Sequence, residues 1–158
     1  MHAISGCDTV SAFSGIGKKT AWQVWTSMEN LHPLFNRLSN APTEITSQDM
    51  DALERFVIVL YSKTCSVSRV NEARKILFAH GNRHIENIPP TIAALTQHVK
   101  RAVYQAGHVW GQAHICNPSL PSPSDWGWQQ GGDGQWFPHW TTLSEASRCR
   151  ELDRKSVV

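Results

Sequence analysis

The chain has 158 residues, 41% of them hydrophobic and 18% charged, with a formal net charge of +2 when its eight histidines are counted neutral. That is ordinary globular composition, enough for one core and a tail, and the charge is too small to mark a nucleic-acid binder by bulk electrostatics, so any such role rests on local placement. No apolar run reaches membrane length and no signal peptide is present, and Cys7, Cys65, Cys116 and Cys149 form no Cys-x-x-Cys pair, so the reading is an intracellular, reduced and nuclear protein without a membrane partner. A zinc site could be assembled from His108, His114, Cys116 and Cys149, but the spacing matches no standard finger, and ordinary core and surface roles are favoured.

Residues 6–21 are the first chemically readable stretch. Asp8 follows a Gly6-Cys7 step, a short apolar segment leads to Gly15-Ile16-Gly17, and Lys18, Lys19 and Thr20 then open an amphipathic helix. Glycines at 15 and 17 allow positive φ or a close approach, and Ile16 between them can plug the turn into a core. The first amides of the helix have no intrahelical partner and lie at the positive end of its dipole, so they form an anion site to which Lys18 and Lys19 add charge. Such a site suits a nucleic-acid phosphate and implies no base readout.

Residues 6–21 resemble the Asp-bearing helix-hairpin-helix segment of the flap endonuclease/XPG (PIN-like) family of structure-specific 5′ nucleases, aligned without a gap. The resemblance implies that Asp8 is a carboxylate ligand in a site for two divalent metals, Mg2+ or Mn2+, and that Gly15, Ile16, Gly17, Lys18, Lys19 and Thr20 contact double-stranded or branched DNA. The family often has an aromatic residue after the Asp and a serine four positions beyond it that helps bind K+ in the hairpin. Thr9 and Ala12 stand there in this chain, which weakens the case for K+. The whole chain is also similar to a group of uncharacterised animal proteins derived from mobile elements.

Two-metal hydrolysis needs several carboxylates converging on ions roughly 4 Å apart, and Asp8 alone cannot hold that pair. Because Met1 lies only seven residues before Asp8, the chain reads as the carboxyl-terminal portion of a larger nuclease-like protein, inactive alone and lacking an N-terminal nuclease domain. A non-catalytic DNA-binding or scaffold module is the alternative. A protein-interaction domain is the second alternative.

The remaining elements follow in order. Thr9 to Phe13 reads as a first short helix and 18–28 as a second, with Ala21, Val24, Trp25 and Trp22 assigned to core packing over base stacking. Leu31, Leu34, Phe35 and Leu38 mark a third helix, and 51–61, preceded by 47–50, a buried fourth. Residues 68–80 are amphipathic, and Pro89-Pro90-Thr91 starts the longest helix, with Ile92, Leu95, Val99, Ala102, Val103, Ala106 and Trp110 at helical intervals. Arg74, Lys75, Lys100 and Arg101 form a candidate second basic patch, although a solvated face is the favoured reading.

The expected fold is thus mainly α: a helix-hairpin-helix followed by a small helical bundle over 1–115, a Pro/Ser linker over 116–125, and a Trp-rich β-hairpin with a basic tail over 126–158. Trp126, Trp128, Trp136 and Trp140 flank the turn signal 131–134, and docking of that hairpin on the chain's own helices is favoured over peptide or base binding. Thr142 to Glu145 reads as a capping box for a last short helix.

Overall fold

The computed structural model describes residues 1–79 and 84–141, so the expected capping box at 142–145 and the basic tail lie outside the described residues. Thr46 sets the start of the central helix. Its hydroxyl accepts from the Asp49 amide at 3.3 Å while the Asp49 carboxylate accepts from the Thr46 amide at 2.7 Å, a reciprocal cap that leaves neither donor orphaned. Burial pushes the Asp49 pKa up, but hydrogen bonds from Arg37 and Thr46 outweigh it and hold the carboxyl below its usual range.

Five helices build the core: α1 Lys18–Ser27, α2 Leu31–Leu38, α3 Ser47–Tyr61, α4 Val70–Ala79 and α5 Ile92–Val103. Helix α3 is central and packs against α1, α4 and α5. Its Leu53, Phe56, Val57 and Ile58 are fully buried, each contributing about 1.5–3 kcal/mol from lost contact with water. Thr91 caps α5 by accepting from the Ala94 amide at 3.2 Å, as the Pro-Pro-Thr start predicts.

Helix α5 continues into a π-helix, Tyr104–Trp110. The wider turn changes which residues face inward: Gly107 and His108 are buried, whereas Trp110, expected on the apolar stripe, is exposed and stacks on His2. A Cβ on Gly107 would lie 2.7 Å from the Leu38 carbonyl, and one on Gly111 2.6 Å from that of Ser39, so these two glycines admit the loop after α2 against the helix.

The C-terminal described region is a small antiparallel hairpin, β1 Trp128–Gln130 with β2 Trp136–Pro138, in the register Trp128–Pro138, Gln129–Phe137 and Gln130–Trp136. It follows a 3-10 turn, Pro123–Trp126, that buries Trp126 against the core. The fold is therefore mainly helical with a two-stranded hairpin, as expected. One element differs: residues 9–13 are not helical.

Candidate nucleic-acid interface

Residues 1–17 form a succession of turns. The Ser5 amide donates to Met1 O and the Gly6 amide to Ala3 O, both at 3.1 Å, and Cys7 and Val10 exchange amide–carbonyl bonds of 3.0 and 3.2 Å. This two-residue turn puts Asp8 and Thr9 at an exposed tip while Ala3, Ile4, Val10 and Phe13 enter the core. A helix over 9–13 would need its first turn fixed for very few hydrogen bonds. The chain instead doubles back, bringing Ala12 over Gly6. Gly6 has φ +99°, and a Cβ there would lie 2.5 Å from that of Ala12, so glycine is required at this position on both counts.

His98 on α5 ties this segment down. Its Nε2 lies 2.8 Å from the Ile4 carbonyl, which can only accept, so Nε2 carries the proton and Nδ1 accepts from the Ser11 hydroxyl at 2.9 Å. The Phe13 ring packs on the imidazole at 4.7 Å. Burial pushes the His98 pKa down to about 4, the Ile4 bond opposes this and the nearby Arg101 charge reinforces it, so the ring is neutral near pH 7.

The hairpin turn then closes with the Ile16 amide donating to Phe13 O at 3.1 Å, Gly15 at φ +70°, and Ile16 packed against the core. Gly17 is the extended N-cap of α1 and offers no side-chain acceptor to the amides of the first turn. A Cβ on Gly17 would meet nothing within 4 Å, so there is free space beside the cap, and first-turn amides of this kind suit an anion.

The two lysines divide. Lys18 turns back, its ammonium donating to the Gly6 carbonyl and to Ser5 Oγ at 3.3 Å, and thereby braces the turn that leads to Asp8. Lys19 is exposed in the first turn of α1. The two lysines expected side by side on a phosphate thus differ in the structure, Lys18 being held by the chain's own oxygens and Lys19 not.

Asp8 is exposed, and Thr9 beside it donates to Gln105 Oε1 at 3.0 Å. Among the described residues no group of three His, Cys, Asp or Glu side chains is placed to hold a metal ion. The donor set around Asp8 does not make a two-metal centre, and His108, His114 and Cys116 do not make a zinc site among those residues; Cys149 lies outside them.

The second basic patch does not form. Arg74 is buried and donates to the Pro89 carbonyl. Arg101 is buried and donates to Gly127 O at 3.1 Å and His139 O at 3.3 Å, with its guanidinium 5.7 Å from the Trp140 ring, and burial lowers its pKa. Lys75 is exposed and Lys100 half-buried on a separate cavity. Two of the four cations serve interior carbonyls, whose distant positions in the chain gave helix-face reasoning nothing to detect. Trp22 and Trp25 also divide: Trp25 packs on His32 and Phe35, whereas Trp22 leans on Trp25 at 4.7 Å and remains exposed.

Comparison with protein-family models, with curated proteins and with solved structures finds no match to this chain.

Proposed function

We propose that residues 6–21 grip a phosphate of double-stranded or branched DNA, in a protein whose role is that of the DNA-binding part of a nuclease-like assembly. The observation that carries this reading is the glycine-capped, sterically open start of α1 with exposed Lys19 beside it. Lys18, Gly6 and His98 act indirectly, by holding the preceding turns in place. The reading is one of binding, and the resemblance to flap endonucleases adds the expectation of duplex phosphate as the ligand. A protein-contact role for the hairpin has one observation in its favour, the exposure of Trp136, Phe137 and Trp140 beside the buried Trp126.

Binding of a fluorescent DNA duplex at several salt concentrations tests the grip. Lys19→Ala is expected to weaken binding about 3–10-fold and to reduce the salt slope by about one. Unchanged affinity and slope in a folded Lys19→Ala protein would rule the reading out.

A further inference from the structure

Trp22 is an indole that the fold supports from below and leaves uncovered above. The residue is 53% exposed, and its ring packs on that of Trp25 with centroids 4.7 Å apart. Trp25 in turn packs on His32 at 4.6 Å and on Phe35 at 6.5 Å, and Phe35 on the fully buried Phe56 at 5.8 Å. A row of rings thus runs from the core to the surface of α1. Its outermost member is restricted before any ligand arrives, which lowers the entropy lost on binding.

The surroundings of Trp22 select among partners. Lys19 stands three residues earlier on α1, the helical spacing that makes side chains neighbours, with Cβ atoms roughly 5–6 Å apart. The Cα–Cβ bonds of a helix tilt towards its N-terminus, so that of Trp22 points back towards the turn carrying Lys19. Helix α1 contains two lysines and no acidic residue. The exposed Trp136 and Phe137 of the β-hairpin differ in this respect, because residues 113–141 contain no lysine or arginine.

A supported ring beside an exposed cation suits a polyanion that carries flat apolar groups. Proteins hold single-stranded nucleic acid in this way, an aromatic face stacking on a base and a cation meeting the backbone, with little regard to sequence. In continuous duplex each base is paired and stacked on its neighbours, and an indole finds no free face. An unpaired base offers one at little cost in unstacking.

We infer that Trp22 is a stacking subsite for an unpaired base, on a single-stranded segment that continues from the phosphate held at Lys19. The inference rests on the phosphate grip and adds to it a contact that depends on a base and not on charge.

Fluorescence anisotropy with two labelled DNAs tests the subsite: one duplex with a single-stranded tail, and the same duplex with a tail of abasic nucleotides. The two tails carry equal charge and differ in their bases alone. The unaltered protein is expected to bind the normal tail about tenfold more tightly, and Trp22→Ala to bind both DNAs with the affinity of the abasic one. Trp22→Phe, which keeps a ring, should retain most of the difference. Lys19→Ala should weaken both DNAs by the same factor and reduce the salt slope, which Trp22→Ala leaves unchanged. Trp22 lies outside the core cluster, so its replacement spares the packing of the helices. Equal affinity of the unaltered protein for the two tails, the result if Trp22 meets a protein partner instead, overturns the inference. A base preference that survives in Trp22→Ala does the same. If Lys19→Ala keeps full affinity and slope while Trp22→Ala loses the base preference, the phosphate grip fails and the stack at Trp22 stands.

Discussion

Replacement of His98 by leucine is expected to cost about 3 kcal/mol at pH 7 and to loosen residues 1–17 ahead of the rest of the protein. Leucine fills much of the space but strands the buried Ile4 carbonyl, removes the acceptor for Ser11 and forfeits the packing on Phe13. The pH dependence distinguishes this from a simple packing loss. The folded-state pKa of about 4 lies below the 6.5 usual for a histidine, so the unfolded chain takes up a proton that the native ring refuses. The contribution is fully present above pH 6.5 and declines as the pH falls through 4, by roughly 3 kcal/mol in all. Urea unfolding of both proteins between pH 4 and 8 should show the gap narrowing as the pH falls. Parallel stability curves would refute the assignment of a neutral, doubly bonded imidazole. The loosened segment carries the hairpin, so weaker duplex binding should accompany the lost stability.

Glu54→Ala is expected to destabilise the protein by about 2–3 kcal/mol, chiefly by stranding a buried amide. Glu54 is 3% exposed and bonds in two directions: Oε2 accepts from the Val70 amide at 2.7 Å, and Oε1 from Arg69 Nη1 at 2.9 Å. The first bond satisfies an orphan donor at the start of α4 with a full negative charge at the positive end of that helix. The second adds little, because Arg69 is 59% exposed on its side chain and also reaches Asp51. Arg69→Ala should therefore cost under about 1 kcal/mol, and Glu54→Gln, which keeps an acceptor for Val70, should fall between the two. Equal losses for Arg69→Ala and Glu54→Ala in denaturant titrations would show that the ion pair, and not the cap, holds α3 to α4.

Elements governed by local rules were legible in the chain. The stripe Leu31, Leu34, Phe35 and Leu38, the Thr91 cap and the glycine turn of the hairpin each depend on residues only a few positions apart. What failed depended on distant partners. Thr9 to Phe13 could cap and pattern as a helix, but Ser11 bonds to a histidine 87 residues on and Ala12 lies over Gly6. Arg74 and Arg101 have the spacing of surface cations, yet the carbonyls that hold them come from 15, 26 and 38 residues away. Trp22 and Trp25 share one stripe in the sequence, and only the packing of α1 on its neighbours separates an exposed indole from a partly covered one. At the candidate site, Gly17 and Lys19 were readable because an open helix start is a local property. The bracing by Lys18 and His98 was not, since it requires the path of the backbone before the hairpin.

The attachment of the β-hairpin by Arg101 separates neighbourhood in space from order along the chain. One guanidinium holds Gly127 and His139 at the base of the hairpin to α5, while Trp126 is sunk in the core, so the seat of the hairpin is defined without the exposed residues 113–119 that lead to it. Those residues serve mainly to span a gap. New chain ends could be placed there, or a foreign domain inserted, with the hairpin still seated on its helix.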